Sequence, residues 1–436
     1  MNIAVVGAGP AGLTAAYRLQ QAGHHVEVLE ALDVVGGRTH AERFGPGHHC
    51  DTGAGWLATF YTHTRKLFDE LGFGDIYLQP RTVRGAADLL LDSAMRQRHH
   101  LPDDGKLYSW PFRGPSVEVS ALLTPEDKVR YGAYIDHLMK VQSTNLMPDL
   151  AYDLRTAADE FAPLGERVVD IILRSMFEGP FYTTLDSLSA TMVRLWLRPL
   201  QDSFFFQVKG GMDEPWLDLA KRLPVQTGEP VEALRRQGTK IELTTPRGGR
   251  LYDGVVMAVP APAAARILAS QPDLAPDWLG DVQYAPQVRV YAAKQTPADA
   301  HFGVHLLPPT DLFSVEWYSG RYGAWGACPP DWQWGLVSTY GATCGKFLDQ
   351  DAAQVTADLW AQARTVVPDM FTLAEADIVH YIRWAWAVPI MGPGHYRRLA
   401  AHQHRLPVVF AGDWMSNACV EGAVRSGEAA AAAFAG

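Results

Sequence analysis

Cysteine is scarce in this chain: four in 436 residues, at Cys50, Cys328, Cys344 and Cys419. None forms a C-x-x-C pair, and four thiols are too few to staple a chain this long, so the pattern points to a reducing compartment. Long apolar runs are missing as well. No stretch reaches the ~20 residues that a membrane-spanning helix needs. Positive charge is in deficit: 38 Lys and Arg against 48 Asp and Glu leave a net charge of -10. That balance argues against nucleic acid or an anionic membrane as the main partner. There is no H-E-x-x-H. Gly341-Ala-Thr-Cys-Gly345-Lys346-Phe347 has neither the spacing nor the hydroxyl of a P-loop. His48-His49-Cys50-Asp51 has no second cluster of ligands to complete it, so no metal site is expected. A strand pattern that begins at residue 2 leaves no room for a leader peptide, and a cytoplasmic protein is expected.

What is present is rich in glycine and tryptophan, 39 and 13 residues, with 47% hydrophobic and 20% charged residues overall. That is the composition of a globular enzyme, and the length suggests two domains. Everything is organised around residues 2–30. Ile3 to Val6 reads as a buried parallel strand. Gly7, Gly9 and Gly12 follow at G-x-G-x-x-G spacing, with Pro10 and Ala11 between them. Leu13 to Ala22 reads as a helix that Gly23 ends. Val26 to Leu29 is a second strand that closes on Glu30. The pieces differ in what they do. Gly7 permits the turn, Gly9 lets the backbone approach a pyrophosphate, and Gly12 lets helix and strand pack closely. The helix N-terminus favours the pyrophosphate charge. Glu30 lies 18 residues past Gly12, where a carboxylate meets a ribose hydroxyl and disfavours a 2′-phosphate. FAD and NAD both satisfy these residues.

Further along, Gly36-Gly37-Arg38 places a guanidinium where its fork can pair with phosphate oxygens. Asp51-Thr-Gly53-Ala-Gly55-Trp56 is a second glycine-rich approach. Thr64 to Leu71 reads as a helix. Arg81 to Gln207 is mainly helical, with Thr124-Pro-Glu-Asp127 as a capped start of a helix to about Gln142. Gly165 to Glu178 and Leu185 to Leu197 read as amphipathic helices whose aromatic stripes are core. Arg81 to His100, with four Arg, reads as a solvated face or loop. Gln287 to Lys294, Asp311 to Tyr340 and Asp377 to Val388 read as strands, with Trp317, Trp325, Trp332, Trp334, Trp384 and Trp386 among them. Asp351 to Val367 is a helix. Pro407 to Ala411 is a buried strand ending at Gly412-Asp413, and Glu421 to Phe434 is an alanine-rich helix.

Four of these segments, taken in order, resemble the FAD-containing amine oxidases and their protoporphyrinogen-oxidase-like and carotenoid-desaturase-like relatives. They are the opening βαβ unit with Gly37-Arg38, Lys209-Gly-Gly-Met212, Glu229 to Pro260, and Val408 to Gly427. The resemblance implies an α/β fold: a discontinuous Rossmann-type FAD domain (1–80, 208–285 and 389–436) and a mixed α+β substrate domain (81–207 and 286–388). It implies FAD contacts at Gly7, Gly9, Pro10, Ala11, Gly12, Glu30, Ala31, Gly37, Arg38, Gly53, Gly55, Trp56, Val231, Gly412, Asp413, Val420 and Ala423, with Val231 at the adenine. In such oxidases two aromatics sandwich the amine; here Tyr396 fits one position and Cys419 stands at the other. The flavin-side Lys is replaced on its strand by Arg289 or Val288. Pro389 to His395 resembles the P-x-x-x-G-H run of the protoporphyrinogen-oxidase-like branch. His395 is then either a covalent flavin link or a neighbour that shapes the pocket.

The resemblance therefore implies an FAD-dependent oxidase or dehydrogenase. It would move a hydride from an amine or an apolar, ring-bearing metabolite to the flavin, with Tyr396, Cys419, Trp386 and His395 on the substrate side. O2 or another acceptor would reoxidise the flavin. A redox-neutral flavin enzyme and a non-catalytic dinucleotide-binding protein are the alternatives. Nothing in the sequence bears on the oligomeric state.

Overall fold

Alternation along the first strand divides its side chains between two cores. In the computed structural model, which describes residues 1–74, 78–80, 87–103, 106–110, 117–142, 145–201, 203, 205–298, 301–307, 310–319 and 326–434, Asn2–Val6 is the central strand of a five-stranded sheet. The order is Val225–Gln226, His25–Leu29, Asn2–Val6, Gly254–Met257, Val408–Phe410. Every pairing is parallel. Ile3 and Val5 face Leu13, Ala16 and Leu19 of the Pro10–Gln21 helix and Val424 and Ala431 of the Val420–Ala432 helix. Ala4 and Val6 face the opposite core, which holds Leu234, Ile241 and Leu243 of a three-stranded antiparallel sheet and Ala261 and Ala264 of a short helix. A strand covered on both faces has no position for a polar side chain, which is why Ile-Ala-Val-Val runs unbroken. Each buried Ile or Val in it contributes about 1.5–3 kcal/mol.

The second large sheet has eight strands. Tyr284–Lys294 lies between Ile378–Pro389 and Gln333–Thr339, antiparallel to both. Val288, Val290 and Ala292 pack beneath Val355, Leu359 and Trp360 of the Ala352–Val366 helix. The alternate residues turn the other way. Tyr291 and Ala293 join Cys50, Trp334 and Ile382, while Gln287 and Arg289 meet the Thr52–Gly53 backbone. This face of the sheet thus roofs the glycine-rich segment at 51–56. The first helix starts at Pro10, at the first turn, where a missing N–H costs nothing. Thr124 and Asp127 form the expected capping box on Pro125–Val141.

Three expectations need correction. Gly165 to Glu178 is not one α-helix: Glu166–Val168 and Arg174–Phe177 flank a π turn at Val169–Leu173. The Asp170 carboxylate there sits among Arg98, His99 and Arg174, a tertiary cluster to which a 3.6-residue pattern is blind. The helix placed at Leu185 begins only at Ala190, capped by Ser189, and runs to Leu200. Leu185 N–H donates instead to Glu178, and the Leu188 carbonyl accepts from Ala157, so this stretch spends its backbone groups on tertiary bonds. Within Arg81 to His100, Arg96 is not solvated but 4% exposed. Its guanidinium donates to the Leu91, Pro102 and Lys106 carbonyls, which removes the cost of burying it. Residues 81–86 and Trp325 lie outside the described residues.

Candidate active site

The glycine turn has the geometry its spacing calls for. Gly7 sits at φ +104°, and a Cβ on Gly12 would fall 1.9 Å from the Gly7 carbonyl oxygen. Gly9 differs from both: a Cβ there would meet nothing nearer than the Gly37 Cα at 3.9 Å. Protein packing does not require glycine at 9, whereas a ligand backbone laid against that turn does. Glu30 is 9% exposed. Its carboxylate accepts from Ala8 N–H (2.7 Å) and Leu32 N–H (2.9 Å). A carboxylate has about four acceptor sites, so two remain for a ribose. The Glu229 N–H donates to the Glu30 carbonyl (2.8 Å), which lays the Val231 segment alongside. Val231 itself is buried with Leu29 and Val6. Pro10 and Ala11 occupy the first turn of the helix, and Ala31 is exposed.

Arg38 takes a partner that sequence reasoning did not supply. Its fork grips the Asp413 carboxylate with both Nη atoms (2.8 Å each), and Nη1 also donates to the Ala387 carbonyl (3.0 Å). This pair joins residues 375 apart in sequence. Arg38 lies against Tyr284, Ala387 and Asp413, yet 26% of its side chain stays accessible. Gly9, Gly37, Gly53 and Trp56 are also partly accessible, and Gly55 is buried. Gly412, at φ +145°, donates its N–H to Ser426 Oγ (2.9 Å), holding the Gly-Asp corner on the last helix. These features fit a dinucleotide: a turn open at Gly9, a half-satisfied carboxylate at Glu30 and a partly accessible guanidinium at Arg38.

Cys419 proves to be the N-cap of the Val420–Ala432 helix; its Sγ accepts from Gly422 N–H (3.4 Å). Val420 and Ala423, in the first turn, are buried. Two phenols converge on this end. Tyr61 lies beside the Cys419 sulfur, and Tyr396 donates to Asn417 Oδ1 (3.2 Å). Burial, then Cys419 close by, holds both phenol pKa values well above the usual range. Burial likewise pushes the Cys419 thiol up to about 12. All three are therefore uncharged at neutral pH. Glu421, fully buried, accepts from His63 N–H, Thr64 N–H and Thr64 Oγ1 (2.9, 2.9 and 2.8 Å). It thereby caps the Thr62–Leu71 helix, a bond across the chain that local patterning could not reveal.

Beside Tyr61 lies a box of rings. Trp196 is met by Phe181 (5.2 Å between centroids), Phe60 (5.5 Å), Tyr61 (6.3 Å) and Trp56 (6.4 Å). Of these, only Trp56 was expected at the site. The aromatic doublet Phe60-Tyr61 directly after Gly53-Ala-Gly55-Trp56 was the available signal. On the roof, Arg289 is the cation, and Val288 faces the other core. Arg289 Nη1 donates to the Gly53 carbonyl (3.2 Å) and Nη2 to the Tyr182 hydroxyl. With its amide oxygen toward the guanidinium, Gln287 accepts from Arg289 Nε (2.8 Å) and donates to the Thr52 carbonyl (3.3 Å). Trp384 Nε1 donates to the same carbonyl (2.8 Å).

The remaining candidates have other company. His395 Nε2 donates to the Trp414 carbonyl (2.8 Å), and burial lowers the ring's pKa, so it is a neutral brace for the segment after Asp413. Trp386 stacks over the Arg266 guanidinium at 4.9 Å. The structure thus brings Tyr396 and Cys419 together and places Trp386 against a different helix. No group of three or more possible metal ligands gathers among the described residues.

Comparison with known proteins sets this geometry in context. The family described as flavin containing amine oxidoreductase matches residues 10–434. The flavin-dependent L-tryptophan oxidase RebO of Lentzea aerocolonigenes is 47% identical over 74 residues, which is 16% of this chain and 16% of that protein. The putrescine oxidase of Kocuria rosea is 48% identical over 71 residues, 16% of this chain and 15% of its own length. These matches span about a sixth of either relative. Among solved structures, wild-type putrescine oxidase bound to putrescine superposes with a TM-score of 0.74 at 18% identity, covering 100% of this chain and 99% of the other. That likeness is one of fold.

Proposed function

Because this chain belongs to the flavin-containing amine oxidoreductase family and takes FAD as its cofactor, we propose that it oxidises a C–N or C–C bond of an amine or an apolar, ring-bearing metabolite. The observation that carries this reading is the uncharged cluster at the start of the last helix. Tyr61, Tyr396, Asn417 and Cys419 meet there, next to the ring box. FAD supplies the two-electron acceptor.

The chain supplies position and environment. The glycine turn and the helix that follows it accommodate the pyrophosphate, and Glu30 orients the ribose. Arg289 and Gln287 hold the backbone carbonyls of residues 52 and 53 from above. The rings keep water from the reacting bond. Cys419, Tyr61 and Tyr396 hold their protons, so these three groups offer no counter-charge to an ammonium. Desolvating a cation without a partner is costly, and a neutral amine is the better fit.

The test is anaerobic mixing of the purified holoenzyme with a size-graded panel of amines and ring-bearing metabolites, following loss of the flavin's visible absorption. Bleaching by larger aromatic amines with formation of the oxidised product supports the reading. Turnover without net oxidation would reassign the chain to redox-neutral chemistry. A second outcome concerns pH. For an amine substrate, kcat/KM should rise through the amine's own pKa and shift when an amine of different basicity is used. An inflection that stays fixed between the two amines would mean that a titrating residue of the protein had been missed.

A further inference from the structure

A cavity of about 640 Å³ opens where the helical layer meets the end of the eight-stranded sheet. That is the size of a small-molecule site. Arg174 and Glu178 line it from the end of the Arg174–Phe177 helix, and Thr183 from the turn that follows. Tyr340 and Thr343 come from just beyond the Gln333–Thr339 strand, and Gln362 from the Ala352–Val366 helix. That helix packs on Val288 and Val290, the face of the sheet turned away from Gln287 and Arg289. Two groups on the wall are deeply buried and incompletely used. Glu178 is 4% exposed, and its Oε1 accepts from Leu185 N–H (3.0 Å) and from Arg174 Nη1. Its Oε2 takes no hydrogen bond among the described residues, and neither does the hydroxyl of Thr183, which is 7% exposed. Neither oxygen is sealed inside protein, so both open on the cavity.

The charges on this wall are already matched. Arg174 pairs with Asp170 (2.8 Å) and with Glu178, and the Asp311 carboxylate pairs with Lys346 Nζ. A charged ligand would leave water for a wall with no charge to spare, which is costly. Neutral hydroxyls meet no such cost. One can donate to Glu178 Oε2 while its neighbour accepts from the Thr183 hydroxyl. Tyr340 spends its own hydroxyl on the Leu306 carbonyl (2.5 Å) and offers the ligand only its ring, an apolar wall for C–H groups. From this arrangement we infer that the cavity binds a neutral polyhydroxylated ligand, a sugar ring or a polyol of that size. It is a second site, and its ligand is not oxidised, because the cavity borders the helix on the far side of the sheet from the Gln287 and Arg289 side chains.

The probe is methyl β-D-glucopyranoside, titrated by calorimetry into the FAD-loaded full chain. Two comparisons run beside it: 2-methoxytetrahydropyran, which keeps the ring and loses the hydroxyls, and guanidinium ion, a charged donor. The glucoside should bind with a dissociation constant of about 1 mM or tighter, and about tenfold more tightly than either comparison. Thr183→Val removes the hydroxyl at nearly constant shape and should weaken the glucoside about fivefold, the worth of one hydrogen bond. Gln362→Trp fills the cavity from the opposite wall and should abolish binding. Both variants should keep the wild-type FAD content, and the flavin should stay oxidised throughout. A glucoside that does not bind at millimolar concentration overturns the proposal, and so does one that binds no better than 2-methoxytetrahydropyran or guanidinium. Wild-type affinity in either folded variant overturns it as well, and so does bleaching of the flavin by the glucoside. Where Thr183→Val does not fold, Gln362→Trp and the comparison of probes on wild type decide the matter.

Discussion

At the scale of single residues, charge and glycine decide most of the site. Glu30 holds Ala8 and Leu32 with one lone pair on each oxygen and keeps the others for a ribose. Glu30→Ala should weaken FAD binding by ~1–3 kcal/mol, the range for leaving buried partners unpaired. Titration of apoprotein with FAD measures it, and unchanged affinity would remove Glu30 from the site. Asp213 is the residue through which pH should act on stability. Burial pushes its pKa up, but His40, Arg43 and the Ala41 N–H outweigh that and hold it at about 2. A carboxyl with a depressed folded-state pKa adds stability above its unfolded value near 4, and that stability fades as pH falls toward 2. The contribution is roughly 2 kcal/mol from the size of the shift. Asp213→Asn should therefore lower stability at pH 7 and flatten its fall between pH 4 and 2, as followed by denaturant unfolding. An acid limb as steep as that of wild type would show that other carboxyls govern it.

At the scale of elements, the Pro10–Gln21 and Val420–Ala432 helices depend on caps of different kinds. The first uses Pro10 and the glycine turn, which adjacency in sequence made plain. The last uses Cys419 for itself and lends Glu421 to the Thr62–Leu71 helix. Glu421→Ala would strip three hydrogen bonds from a buried helix end. A loss of about 2–4 kcal/mol is expected from ~1 kcal/mol per bond plus the unpaired donors, seen as a lower Tm with FAD bound. A Tm within a degree of wild type would mean that the Thr62 helix holds its own end. These contrasts show what the sequence made legible. Strands, the opening helix and the Thr124 capping box rest on neighbours within a few residues, and all could be read. The N-cap role of Cys419, the Asp413 partner of Arg38 and the buried Arg96 rest on contacts between distant segments, or on carbonyls whose placement depends on the fold. Tyr61, Phe60 and Trp196 lay between these cases. Their aromatic character was visible, but nothing local says that a ring at 196 meets rings at 56, 60 and 61.

At the scale of the whole molecule, the parallel sheet takes strands from 2–29, 225–257 and 408–410, and the Arg38–Asp413 pair ties the first of these segments to the last. A fragment of residues 1–80 would keep two of the five strands and lose the helix that covers one face. It should neither fold nor bind FAD, and a folded fragment that binds the cofactor would contradict the discontinuous FAD domain we propose. The most direct test of the account is the FAD stoichiometry of the purified full chain, measured after reconstitution with excess cofactor and removal of the unbound fraction. The account predicts a yellow protein with one tightly held FAD per chain, and a Gly9→Trp variant, whose side chain would fill the approach to the pyrophosphate, with almost none. A wild-type chain that stays colourless and retains no FAD, or a Gly9→Trp chain that retains it fully, would contradict the account.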